Sequence, residues 1–178
     1  MTHISQKTLG SNNSQVVNVF MPNGDKHPLS NAMESILLNI NDDPDFEGFI
    51  EELLSHTHYR TIIGLEGKLL EANKEELLLE AIDLKEKFAK KLEREQLSIT
   101  VQYFYAHILS YIKSVFISKI KPLLSKGCSA SELESAIYNE IVLNIYAQTS
   151  VYLPEVTTDH IAGMLYYLTG KCHLSWKV

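Results

Sequence analysis

What most constrains this chain is a recurrent combination. Apolar residues fall three and four apart, and helix-capping residues stand at the ends of the runs. The clearest run follows Asn73. Leu77, Ala81, Leu84, Phe88 and Leu92 form one stripe, flanked by Leu78, Ile82 and Ala89. This is the period of an amphipathic helix. It cannot serve a strand, whose faces alternate every two residues. Asp83–Lys87 and Glu86–Lys90 stand four apart on the outer face, pairs that stabilise a helix by roughly 0.2–0.5 kcal/mol each. Asn73 and Glu76 have capping-box spacing, with Asn in place of the usual Ser or Thr.

The rest of the chain repeats the pattern. Ser30 is placed to cap a short helix carrying Met33, Ile36, Leu37 and Ile40, and Asp43–Pro44 is a start signal for a helix with Phe46, Phe49, Ile50, Leu53 and Leu54. "SHTHYR" interrupts that helix. "TIIGLEGKLLEAN" is weaker, because Gly64 and Gly67 each cost about 1 kcal/mol relative to alanine, although glycines also let a neighbour come close. Ser98 opens a long helix towards Pro122. Its broad face of Val101, Phe104, Tyr105, Ile108, Ile112, Val115, Phe116 and Leu123 suits a central position, with His107, Ser110, Ser114 and Lys121 opposite. Gly127 suits a helix end, and Ser129 with Glu132 is a capping box. The helix that follows, 130–148, contains "IVLNIY", apolar on nearly all sides. Thr157 or Thr158 caps a last helix, with Ile161, Met164, Leu165 and Leu168 on one face, which ends at Gly170. The predicted fold is all-α: a compact bundle of about five to seven helices with no sheet in residues 45–178.

The amino-terminal part differs. Residues 1–15 are rich in Ser, Asn, Thr and Gln, too polar to offset the entropy of ordering. "QVVNVFMPNGD" reads as a flexible linker or as a short strand closed by a turn. The chain therefore divides into residues 1–29, a flexible linker or short strand, and residues 30–178, a helical domain. A chain of 178 residues can bury a core without staples. No secretory signal and no membrane-length apolar run occurs, and two cysteines make no disulfide framework. These features suit a soluble cytoplasmic protein. The formal charge of −6 disfavours a polyanion partner. Lys113, Lys119, Lys121 and Lys126 lie in an acid-free stretch, 96–131, but do not share a helix face, which argues against direct nucleic-acid binding.

One stretch gathers the residues from which chemistry could be built. "LTGKCHLSW", 168–176, holds Gly170, Cys172, His173 and the only tryptophan, Trp176. As structure, Gly170 takes the left-handed conformation that closes a helix, Lys171 and His173 sit at the negative end of its dipole, and Leu174 and Trp176 return the tail to the core. As chemistry, Cys172 and His173 would be a nucleophile and its base. A thiol at a helix C-terminus, however, faces the wrong end of the dipole to be activated. Metal binding lacks ligands, since no CxxC or HxxxH accompanies this pair and His56 and His58 are too short a motif. Nucleotide-loop and nucleophile-elbow motifs are absent too, so no cofactor is implied.

"DFEGFIEELLSHT", "IIGLEGKLLEANKEELLLEAIDLKEKFAKKL" and "MLYYLTGKCHLSW" together resemble the helical C-terminal domain of bacterial ABC-three-component systems, the Lamassu-like defence operons built around an SMC-like ATPase. The likeness covers roughly residues 45–178. The family ending is matched by Tyr166, Tyr167, Thr169, Gly170, Cys172, His173, Leu174 and Trp176. In that group the domain follows an effector such as a nuclease. Here only about 40 polar residues precede it, and "SNNSQVVNVF" resembles the linker that joins the two. The chain is then an excised C-terminal piece or a stand-alone member. The resemblance implies a non-catalytic protein-interaction domain, which docks an effector or itself to the SMC-like ATPase or another subunit; the apolar surplus on the helices at 98–124 and 130–148 would be the docking surface or a dimer seam, so a homo-oligomer is among the expected partners. Tyr166, Tyr167, Thr169, Gly170, Cys172, His173 and Trp176 would be its structural or partner-contact motif. The alternatives are a small cysteine-dependent enzyme using Cys172 and His173, and a nucleic-acid-binding regulator.

Overall fold

The computed structural model describes residues 27–39, 56, 63–171 and 173–177. The segment 1–26, with its linker-or-strand reading, and the helix expected from Asp43–Pro44 lie outside them. Among the described residues there is no strand, and six helical rods account for the order of elements.

Helix α1 is Pro28–Asn39. It starts ahead of Ser30: Pro28 takes the first helical position, and the His27 ring Nδ1 accepts the Leu29 N–H at 3.2 Å. That leaves His27 Nε2 to donate to Tyr111 Oη, 2.8 Å away. Ser30, expected as a cap, instead lies inside the helix and donates to Gln148 Oε1 at 2.7 Å.

Helix α2 is Leu65–Glu71. Its end corrects the expected capping box at Asn73. Asn73 has φ 53°, Lys74 N–H bonds the Leu69 carbonyl at 2.8 Å, and Asn73 N–H bonds the Leu70 carbonyl at 3.0 Å. This is a Schellman end with Asn in the left-handed place, which Asn tolerates better than most residues. The turn it leads into, a 3-10 turn at Glu75–Leu77, has no side-chain cap.

Helix α3 is Leu78–Arg94. Its outer pairs form, Asp83–Lys87 at 3.0 Å and Glu86–Lys90 at 3.6 Å. Its buried face is turned slightly from the expected stripe: Ala81, Leu84, Phe88 and Lys91 are buried, and Leu92 only partly. Lys91 is tolerated because its ammonium meets Glu95 at 2.6 Å, and Tyr105 Oη donates to the same carboxylate. Burial, then the Glu95 contact, pushes the Tyr105 phenol well above its ordinary value.

Helix α4, Ile99–Val115, passes through a π-helical turn, Phe116–Ile120, into α5, Lys121–Ser125. This first rod ends at Gly127, φ 70°, again with Schellman bonds, from Cys128 N–H to the Leu123 carbonyl and from Gly127 N–H to the Leu124 carbonyl. Ser129 and Glu132 form the expected capping box on α6, Ala130–Ala136. A second π turn, Ile137–Leu143, leads to α7, Asn144–Thr149. The two π turns pack against each other, so the rods form a hairpin, and α1 lies across α4 and α7.

Helix α8 is Thr158–Gly170. Thr157 caps it with His160 as reciprocal partner, His160 Nδ1 accepting the Thr157 N–H at 3.1 Å. The expectation that the 98–124 helix is central holds at Tyr103–Ala106, buried on all sides, but α8 is buried more completely, with every residue from Gly163 to Gly170 covered. It packs along α3 and also touches α2, α4 and the second π turn. No helix among the described residues is long and apolar enough to cross a membrane.

Candidate functional site

The last turn of α8 and the tail after it bring most of the sequence motif together. Thr169 is fully buried, and its hydroxyl does two things. It donates to the Leu165 carbonyl at 3.0 Å and accepts the Trp176 indole N–H at 3.0 Å. Trp176, 1 % exposed, has its one polar atom satisfied by a residue seven positions earlier. Its ring lies parallel to Tyr166, with centroids 6.3 Å apart, and is tilted against Phe116 at 5.3 Å. Tyr166 is buried with it, which pushes its phenol up to about 12. Tyr167 faces the other way and sets its edge on Phe88 at 5.3 Å, while Lys171 lies over its ring. The aromatic pair thus bridges two neighbours, with Tyr166 holding the tail and Tyr167 holding α3.

The tail is held at further points. His173 N–H bonds the Leu168 carbonyl at 2.9 Å, Leu174 is buried, and Lys68 Nζ from α2 donates to the Leu174 carbonyl. The His173 ring meets the buried His56 edge-on, with centroids 5.5 Å apart, and His56 Nε2 is 2.9 Å from Ser110 Oγ. Ser110, expected on the outward face of its helix, is partly covered here.

Gly170 corrects an expectation. It does not adopt the left-handed conformation; the helix runs through it, and Lys171 is the C-cap with φ −82°. Closure comes later, from the bond between His173 N–H and the Leu168 carbonyl. A β-carbon at Gly170 would meet Lys85 Cε at 3.2 Å, so this glycine accommodates the Lys85 stem. Cys172 lies outside the described residues.

The larger steric device is Gly163, which the sequence reading passed over. A β-carbon there would stand 2.3 Å from the Leu84 carbonyl oxygen and 2.9 Å from Phe88 Cβ. Only glycine lets α3 and α8 approach this closely. The signal was present in "IAGML": a glycine inside an otherwise good helix costs about 1 kcal/mol, and an interior glycine calls for a packing reason. Gly64 and Gly67, singled out for close approach, meet no neighbouring helix among the described residues: a β-carbon at Gly64 would meet nothing there within 4 Å, and one at Gly67 only Ile63 of the same segment.

Two open clefts flank this region. One, of about 470 Å³, includes Glu66, Ile82, Lys85 and Glu86 in its wall; the other, of about 400 Å³, includes Asn73, Lys74, Cys128 and Trp176. Among the described residues no histidine lines either. Among the described residues no three His, Cys, Asp or Glu side chains gather where they could hold a metal ion.

Comparison with known families matches residues 64–176 to C-terminal domain 9 of the ABC-three component (ABC-3C) systems. The chain belongs to this family. The match falls inside the span of the resemblance and ends on Trp176, the residue that pins the tail. Comparison with curated proteins and with solved structures gave no match. Within the ABC-3C domain, the Tyr166–Trp176 motif has a coherent packing geometry: a stacking partner, a hydroxyl that accepts the indole N–H, and a helix end that directs the tail back to the core.

Proposed function

We propose that this ABC-3C domain is a non-catalytic docking domain of a defence complex, acting in the cytoplasm. It holds an effector, or its own chain, against the other subunits, the SMC-like ATPase foremost among them. The observation that carries the reading is the family match over residues 64–176, to a domain defined by its place in a multi-component system. The exposed apolar residues on the hairpin rods, Ile117, Tyr138, Leu143 and Tyr146, support it as surface not needed by the chain's own core.

The test is co-expression of the tagged chain with the other subunits of its system. The ATPase should co-elute in fixed stoichiometry. If the remaining subunits assemble while this chain elutes alone, the docking reading falls. Cys172→Ser should leave assembly and protection against phage intact. Loss of protection with assembly and fold unchanged would make the thiol a working group and the domain an enzyme.

A further inference from the structure

The two rods of the hairpin carry charge of opposite sign beside exposed apolar residues. On the first rod Lys113 and Ile117 stand four apart, and Lys121 directly follows the π turn Phe116–Ile120; Ile117 is 54 % exposed, Lys121 is exposed and Lys113 partly so. On the second rod Glu134, Tyr138, Glu140 and Leu143 are all exposed; Glu134 and Tyr138 stand four apart, and Leu143 continues their line. In a straight α-helix Tyr138 and Leu143 would diverge by about 140°. The π turn at Ile137–Leu143 has i→i+5 bonding, which sets residues five apart on one side.

Charge is segregated between the rods. Residues 96–131 contain no Asp or Glu, and residues 127–170 contain no Lys or Arg. The charges are also unspent. Among the described residues α3 pairs Lys87, Lys90 and Lys91 with acids four residues away, whereas Lys113, Lys121, Glu134 and Glu140 take part in none of the ion pairs. The π turns that carry Ile117 and Tyr138 touch, so the basic and acidic rods are neighbouring elements of one hairpin.

From this arrangement we infer that the hairpin face is covered by a second copy of the same chain. The basic rod of one copy lies on the acidic rod of the other, and two-fold symmetry repeats the contact. A partner of a single sign, nucleic acid included, would meet like charge on one rod wherever it met opposite charge on the other. A second copy satisfies both rods at once. Ile117, Tyr138 and Leu143 supply the apolar centre and the charges supply the rim, as protein interfaces are built.

The inference concerns the purified chain alone, so its failure is distinct from failure of subunit docking. The measurement is sedimentation velocity on the full chain up to about 100 µM, a range that populates a micromolar dimer. A species of twice the 20.2 kDa chain mass is expected. It should weaken between about 0.05 and 0.5 M salt, where the Debye length shrinks about threefold. Lys113→Glu with Lys121→Glu, and separately Glu134→Lys with Glu140→Lys, should each weaken self-association about tenfold or more. Mixing the two double variants should restore a dimer, because each rod then meets its opposite. Unchanged melting temperatures show that the variants are folded. A wild type that stays monomeric throughout, a dimer indifferent to both reversals, or a mixture that does not re-associate overturns the inference. So does a reversal that leaves self-association unchanged and releases another subunit from the complex, which gives the face to that subunit.

Discussion

Helix α8 with its pinned tail, packed on α3, and the two-rod hairpin draw on similarly apolar sequence, yet they use it in opposite ways. Along α3 and α8 the contacts are spent internally. Gly163 brings the helices together, Thr169 takes the indole N–H of Trp176, and Lys91 is neutralised by Glu95. On the hairpin the inner faces close the core, through Phe116, Ile120, Leu133 and Ile141, while Ile117 and Tyr138 are exposed beside charges that form no ion pair among the described residues. Burial is not set by how apolar a segment is. It is set by whether a neighbour can reach it. The first region behaves as scaffold and the second as available surface, and mutations should separate them.

The largest effect is expected at the tail anchor. Trp176→Ala should cost about 3–5 kcal/mol in chemical denaturation, from lost burial, a cavity between Tyr166 and Phe116, and a Thr169 hydroxyl that loses its donor. A cost under about 1 kcal/mol would mean that the tail does not hold the scaffold. Next comes Gly163→Ala, which forces the helices apart against backbone. Overpacking of this kind costs about 1–3 kcal/mol or more, even though alanine is the better helix former. If the variant is as stable as the parent, the close approach is not a constraint.

The third effect is a pH dependence. Burial, then the Lys91 charge nearby, holds the His160 imidazole below its ordinary value, and protonation would also remove the acceptor that caps α8. The unfolded chain therefore takes up a proton that the folded chain resists. The stability contributed by this group is present above about pH 6.5 and is lost as pH falls below it, towards the lowered folded value. His160→Gln keeps a capping-box acceptor and cannot titrate there, so it should flatten this part of the stability–pH curve. An unchanged slope would assign the dependence elsewhere.

The hairpin supplies the contrast. Ile117→Ser with Tyr138→Ser should shift stability by no more than about 0.5 kcal/mol per site, as for surface positions generally. A loss comparable with that of Trp176→Ala would erase the distinction between the two regions. The smallest effect, and a change of sign, is expected at Gly170. A left-handed glycine would resist alanine, but this one is helical. The propensity gain of roughly 0.5–1 kcal/mol is set against a contact with the flexible end of Lys85, so Gly170→Ala should be neutral or slightly stabilising in thermal melts. A clear loss would restore the left-handed reading.

What the sequence could fix by itself is local. Ser129 with Glu132, Gly127, Thr157 and the stripe from Leu77 to Phe88 were legible, because a capping hydrogen bond or a helical face involves residues within a turn or two of one another. The same local rules misread Ser30, Asn73 and Gly170, each of which has a side chain or backbone compatible with two places at a helix end. Only the packed chain decided between them, through Pro28, Lys74 and His173. Tertiary structure also decided what depends on partners distant in sequence. Thr169 becomes an acceptor because Trp176 folds back onto it, Gly163 becomes indispensable because Leu84 lies against it, and Lys91 can be buried because Glu95 and Tyr105 meet there. Periodicity tells which face of a helix is apolar. It does not tell which neighbour that face meets or how closely, since that depends on the joint packing of all the helices.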